Sequence, residues 1–181
     1  DHLIIALCFS LMIVGVGYFM TSKDTPLPIK TETVQSPYTK SGDSELLNNI
    51  YARLDTSYKN KDEEDECQLV AAYFVCDYYT FVDKKKNEIG GVDYMYPEMV
   101  ENFSQYAQTS FYSYKNQYPE LEVLKYNIIS YSPSKVTIAG LEDNDYYNIL
   151  ISLTFNEEIE GLTSTVNVTV VRVEDRYYGC G

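Results

Sequence analysis

Hydrophobic and polar residues divide the chain into three regions. An uncharged run from Leu3 to Met20 opens the sequence, a polar stretch with three prolines follows, and amphipathic patterns fill the remainder. We therefore assign residues 1–22 to a transmembrane helix, 23–43 to a linker and 44–181 to one folded domain.

The opening run is long enough to cross the hydrocarbon layer, which takes roughly 18 to 20 apolar residues in a helix. An uncleaved signal anchor explains it best. A cleaved signal peptide fits less well, because the run exceeds a usual apolar core and no A-x-A site follows. Lipidation at Cys8 is disfavoured because Leu7 is not the small residue expected before a lipidated cysteine. We expect the membrane to be contacted through residues 3–20, with the acidic domain on the extracytoplasmic side.

Two amphipathic helices are predicted at the start of the domain. Apolar residues recur every four positions from Leu46 to Tyr58, which predicts a helix over residues 44–59 with Ser44 as its N-cap. The second helix is predicted over residues 62–84 and is expected to be largely buried. Acidic residues at its start and the lysines 84–86 at its end would complement the helix dipole.

A third helix is predicted after the Gly90-Gly91 break and a short strand over Val92–Tyr96. It begins at Pro97, a favourable first position, and continues to Asn116. Its expected inner face consists of apolar and aromatic residues at helical spacing: Val100, Phe103, Tyr106, Ala107, Phe111 and Tyr114.

From Leu121 onward the hydrophobic pattern changes to the two-residue period of β-strands. Short polar turns separate the runs, which predicts an antiparallel meander and an α+β fold class. The predicted strands are Glu122–Tyr131, Lys135–Leu141, Tyr146–Phe155 and Thr163–Val173.

Composition narrows the classes of function. The formal net charge is -13, and such a surface repels phosphate backbones, so we predict that nucleic acid is not a partner. The chain also contains 19 tyrosines, whose large apolar body and polar tip suit contact surfaces.

Candidate chemistry is sparse. The single histidine is His2, so the domain can form no histidine-based triad or zinc site, and neither a P-loop nor a G-x-G-x-x-G occurs. We predict no catalytic residue, no metal and no cofactor. Asp77, flanked by Tyr78 and Tyr79, is the best candidate for an acid inside a pocket. Its helical position next to Cys76 favours the alternative that it lies at the wet edge of the helix.

Three cysteines lie in the predicted domain. Cys67 and Cys76 are separated by about half a turn around one helix and about 13 Å along it, so they cannot pair. Two alternatives remain: three free thiols, which we favour, or a disulfide between Cys67 and Cys180 in an oxidising compartment.

The order of the elements over residues 62–178 resembles the NTF2-like fold, in which a curved antiparallel sheet wraps around helices like a cone. With the membrane helix and linker, the whole is similar to VirB8/TcpC-type proteins of conjugative transfer, or type IV secretion. The stretch Tyr73–Thr80 followed by Gly90-Gly91 resembles the first long helix of that group and its exit. TcpC-like proteins often carry two such domains, whereas this chain has room for one.

This resemblance implies a scaffold subunit that self-associates and contacts other secretion or transfer subunits. The alternative is an NTF2-like binder of small molecules, or a lyase or isomerase, that uses the cone pocket. A third option is a lone sensor or adhesion ectodomain. A scaffold should have a cone filled by Tyr and Phe and no buried carboxylate, whereas an enzyme should have an open cavity into which Asp77 points.

Overall fold

The computed structural model describes residues 34–181, which form one compact unit of α+β class. Within this range three α-helices precede a four-stranded antiparallel sheet with the strand order β1-β2-β3-β4. The helices are α1 (Glu45–Asn60), α2 (Glu63–Tyr78) and α3 (Val100–Thr109). The strands are β1 (Val123–Pro133), β2 (Tyr146–Phe155), β3 (Thr165–Val173) and β4 (Arg176–Gly179).

Helix α1 confirms the prediction for residues 44–59. The Ser44 side chain accepts a hydrogen bond from the Leu47 N–H, which satisfies one of the free amides at the helix start. Leu47, Ile50 and Leu54 form its buried stripe. At the other end, Lys61 takes a left-handed conformation and terminates the helix.

Helix α2 is buried along most of its length, as predicted, but it ends at Tyr78 and not near residue 84. The chain leaves the helix because the Phe81 N–H donates to the Leu121 carbonyl (2.7 Å) just before the sheet. The lysines 84–86 therefore lie in the following loop, and the prediction that they complement the dipole of this helix is wrong.

The segment after Gly91 differs from its predicted form. Val92–Tyr94 is a 3₁₀ turn, not a strand, and only Met95 makes an isolated parallel bridge, to Gly179. The predicted third helix is broken into α3 and two 3₁₀ turns, Pro97–Met99 and Phe111–Tyr114.

The break at Ser110 rotates the side chains that follow it. Ser110 has a φ of -110° and a ψ of -106°, outside the helical region. Tyr114, which follows the break, is 54% exposed, and Tyr106, which precedes it within α3, is 69% exposed, so the predicted place of both on the inner face is wrong.

The sheet is an antiparallel meander, as predicted, although one predicted strand is absent and one strand that was not predicted is added. Residues 135–141 form a loop, because the Tyr146 hydroxyl accepts from the Ile138 N–H and donates to the Leu141 carbonyl. The fourth strand is β4, which the sequence pattern did not reveal. In β3 the alternation is confirmed, with Val168 and Val170 buried and Asn167 exposed.

Edge strand β1 contains two irregularities in its pairing with β2, one at Leu124 and one at Ile129. Each extra residue is a half-exposed aliphatic side chain. Bulges of this kind twist an edge strand and interrupt the row of backbone groups that another strand could pair with.

Residues 38–42, assigned to the linker by sequence, pack against the domain. Tyr38 is buried, and the Ser41 and Gly42 N–H groups donate to the Tyr73 hydroxyl at 2.9 and 3.1 Å. The packed unit therefore includes residues 38–42 and does not begin at residue 44.

Within residues 34–181, no helix combines the length and apolar character needed to cross a membrane. The transmembrane helix predicted over residues 1–22, the membrane contact through residues 3–20 and the first part of the linker lie outside the described residues.

Candidate functional site

The position where an NTF2-like pocket was expected, between helices and sheet, is filled by aromatic side chains. The rings of Tyr73 and Tyr94 stack with their centroids 4.1 Å apart, and the ring of Tyr38 is also stacked with that of Tyr94, at 5.8 Å. These rings belong to the same core cluster as Ile149 and Val168 of the sheet. The interior is thus packed with apolar contacts, as the scaffold hypothesis predicted.

Asp77 is buried, being only 1% exposed, so the prediction that it lies at the wet edge of its helix is wrong. Its Oδ1 accepts from Lys84 Nζ at 2.5 Å. Its Oδ2 accepts from the Gly91 N–H at 2.7 Å and from Ser41 Oγ at 3.0 Å. The carboxylate therefore joins the chain entering the domain to the loop that leaves α2.

These contacts make Asp77 a poor general base. A buried carboxylate suited to proton transfer has few partners and faces its substrate. Here a lysine compensates the charge and two further donors occupy the second oxygen. The neighbouring cavity, lined by Ser41, Thr80 and Lys84, has a volume of about 40 Å³, which is too small for an organic substrate.

A second buried carboxylate, Glu66, was not predicted by sequence. Its Oε1 accepts from the Tyr38 hydroxyl at 2.6 Å, and that hydroxyl also accepts from the Tyr177 N–H at 2.9 Å. Burial raises the pKa of Glu66, while the Tyr38 hydrogen bond and the charge of Arg172 oppose that rise. The expectation that a filled interior would contain no buried carboxylate is therefore wrong.

Arg176 holds the segment before α1 against the sheet. Its guanidinium donates to the carbonyls of Pro37 (3.0 Å) and Asp93 (2.7 Å) and lies over the rings of Tyr38 and Tyr178. A planar guanidinium can make such contacts at once because its donors are fixed in a fork.

The cysteines are free thiols throughout the described chain, and Cys67 and Cys180 are not joined in the structure. Burial raises the pKa of Cys180 to about 12 and raises the pKa values of Cys67 and Cys76 as well. A thiol with such a pKa is protonated at neutral pH and is therefore a weak nucleophile.

Within residues 34–181 no group of three or more His, Cys, Asp or Glu side chains is arranged to hold a metal ion.

Sequence reasoning found Asp77 but missed the partners that determine its role. Gly90-Gly91 was predicted to interrupt the helical pattern. Gly91 is also required for a steric reason that the sequence did not reveal. A Cβ on Gly91 would lie 2.6 Å from the Phe74 carbonyl oxygen, and φ at Gly91 is +80°. Glycine lets the loop return close enough to α2 for its amide to reach Asp77.

No family model, curated protein or solved structure matches this chain.

Proposed function

We propose that this chain is a membrane-anchored structural subunit of a conjugative transfer or secretion complex, and that its domain acts through protein–protein contacts. The observation that carries the proposal is the filled interior, in which stacked Tyr73 and Tyr94 occupy the space that a cone-shaped pocket would need. A domain whose interior has no space for a substrate acts through contacts at its surface.

We also infer that the domain is NTF2-like. Helices α1 and α2 precede a single antiparallel meander, and α2 is buried against all four strands. This order supports the resemblance, as does the glycine-containing return after α2. The extracytoplasmic location and the anchor at residues 3–20 remain part of the proposal.

The rival function, a binder of small molecules or a lyase or isomerase, has less support. Asp77 is the acid that such an enzyme would use, and its oxygens already accept from Lys84, Ser41 and the Gly91 amide. A buried carboxylate matches the expectation for this rival, but the cavity beside Asp77 measures only about 40 Å³, which leaves no room for a substrate.

Purification of the full chain from its native membranes tests the proposal. Cells are fractionated, the membranes are washed with carbonate, and the tagged chain is isolated in mild detergent for mass spectrometry. We expect the chain in the washed membranes together with stoichiometric partner subunits whose genes lie beside its own. Recovery as a soluble monomer without partners would refute the proposal.

A further inference from the structure

An open groove lies between the segment after α3 and the hairpin that joins β2 to β3. It consists of two adjoining cavities of about 310 and 720 Å³, which share Ile159, Glu160 and Leu162. We call it the hairpin groove. The aromatic residues Phe111, Tyr114 and Tyr118 line the first cavity, and Glu157 and Glu158 line the second, so the two surfaces meet at the shared residues Ile159, Glu160 and Leu162. We call Phe111, Tyr118, Ile159 and Leu162 the floor of the groove and the three glutamates its rim.

The floor of the hairpin groove belongs to a packed secondary core. The Phe111 ring lies 4.6 Å from that of Phe81 and 4.9 Å from that of Tyr79, centroid to centroid. Ile159 and Leu162 pack against the same cluster. Since these rings are fixed by contacts beneath them, the floor is a preformed apolar surface that a ligand would not have to order.

The rim is acidic and its charges are uncompensated. Glu157, Glu158 and Glu160 are exposed, and none of them forms an ion pair with any described residue. Asn156 bonds to the backbone of Glu120 and Glu122, which brings two more acidic residues to this end of the sheet.

The nearby basic residues form no ion pair with this rim in the described part of the chain. Lys115 directs its ammonium to the carbonyls of Lys84 and Lys85, and Lys125 on β1 is exposed. The groove therefore combines an apolar aromatic floor with excess negative charge. Within the part of the chain described, the floor is left open and the glutamates form no ion pair.

We propose that the hairpin groove binds a polypeptide segment of a partner subunit in which lysine or arginine residues alternate with aliphatic ones. The aliphatic side chains contact Phe111 and Leu162, and the cations face the three glutamates and the exposed Tyr114 ring. Charge complementarity selects this occupant, since an acidic segment would be repelled and an uncharged one would leave the rim unpaired. The inference rests on the proposed function, because it names the chemistry of one scaffold contact.

The test uses the purified full chain in detergent and a fluorescent decapeptide in which lysine alternates with leucine, with binding followed by anisotropy. The variant Glu157→Gln, Glu158→Gln, Glu160→Gln should weaken binding roughly eightfold, about twofold for each exposed charge contact that is lost. Tyr114→Ala, at an exposed position that should not affect folding, should weaken it about fivefold. A peptide with serine in place of lysine should bind at least about tenfold more weakly.

The matched control removes the same charge elsewhere. Glu98→Gln, Glu101→Gln, Asp143→Asn changes three exposed acidic residues outside the groove and should alter the affinity less than about twofold. An equal loss in this control would show that the peptide follows net charge only, and would overturn the proposal. So would unchanged binding to Tyr114→Ala, or occupation of the groove by a second copy of this chain. The peptide experiment uses no native partner, so its failure would overturn only the groove proposal. The membrane purification tests the proposed function separately.

Discussion

Lys84 Nζ and Asp77 Oδ1 lie 2.5 Å apart, and their side chains are only 4% and 2% exposed. The pair connects the loop after α2 back to the last turn of that helix. A buried ion pair of this kind contributes little by its formation, because removing both charges from water is costly. Loss of one partner is far more damaging, since the other charge is left buried and uncompensated.

The variant Lys84→Met should therefore lower the free energy of unfolding by about 3 to 5 kcal/mol. Urea denaturation measures this directly. Lys86→Met, at an exposed position two residues on, is the matched control and should stay within about 0.5 kcal/mol of the parent. Adding Asp77→Asn to Lys84→Met should recover part of the loss, because no charge then remains buried. Equal stability of the two lysine variants would contradict the structure.

Glu66 should make stability depend on pH. Burial raises its pKa in the folded state above the ordinary value for a glutamate. The folded state thus holds the proton more tightly than the unfolded state. Stability is then highest below the unfolded pKa and falls as pH rises through the folded pKa.

Replacement by Gln removes this dependence. The parent should lose stability as the pH is raised from about 4 to about 7, and the variant should not. The free energy of unfolding of Glu66→Gln minus that of the parent should therefore increase over this range. Denaturation at several pH values measures it, with Glu64→Gln as the control for loss of one charge at the same helix start. A relative stability that is flat or falls with pH would show that Glu66 does not titrate as described.

Alanine substitutions at Gly91 and Gly140 distinguish the cost of backbone strain from the cost of steric overlap. The two residues have similar φ angles, +80° and +87°, but different surroundings. Gly140→Ala places its Cβ in open space and should cost about 1 kcal/mol, the penalty for a left-handed residue. Gly91→Ala adds an overlap with Phe74 and should cost at least about 3 kcal/mol. Thermal unfolding compares the two variants, and similar costs would mean that the loop is free to move away from α2.

The cysteines should react slowly in the folded protein. Cys180, with its pKa raised to about 12, and the buried Cys67 carry almost no thiolate at neutral pH. Iodoacetamide labelling followed by peptide mass spectrometry should give rates that rise at least about a hundredfold in guanidinium chloride. Rapid native labelling of Cys180 would contradict its raised pKa. A Cys67–Cys180 disulfide in protein isolated under oxidising conditions would show that the alternative sequence interpretation holds in the native compartment.

The elements that the sequence predicted well are those in which periodicity and burial agree. Leu47, Ile50 and Leu54 repeat along α1, and Val168 and Val170 alternate with polar residues in β3. Such patterns require no knowledge of the neighbouring elements.

The elements that were mispredicted depend on distant contacts. Residues 135–141 alternate like a strand, but the Tyr146 hydroxyl binds Ile138 and Leu141 and holds them as a loop. The burial of Asp77 likewise depends on Ser41 and Gly91, which are 36 and 14 residues away along the chain. Local propensity carries no information about such contacts.

The hairpin groove was hidden for a related reason. Tyr114 satisfies the helical spacing of the predicted third helix, and it was placed inside on that basis. The break at Ser110 turns it outward, beside a hairpin whose acidic residues appeared to be an ordinary turn. A helix break without glycine or proline leaves little trace in the sequence.

The central claim, that the domain works by contacting other proteins at the membrane, is tested most directly by photo-cross-linking in native cells. A photoreactive amino acid is placed at Tyr114, Leu124 or Asp143, all of which are exposed. The account predicts covalent adducts with other subunits in the membrane fraction, strongest at Tyr114. A chain that remains an uncross-linked soluble monomer from all three positions would contradict it.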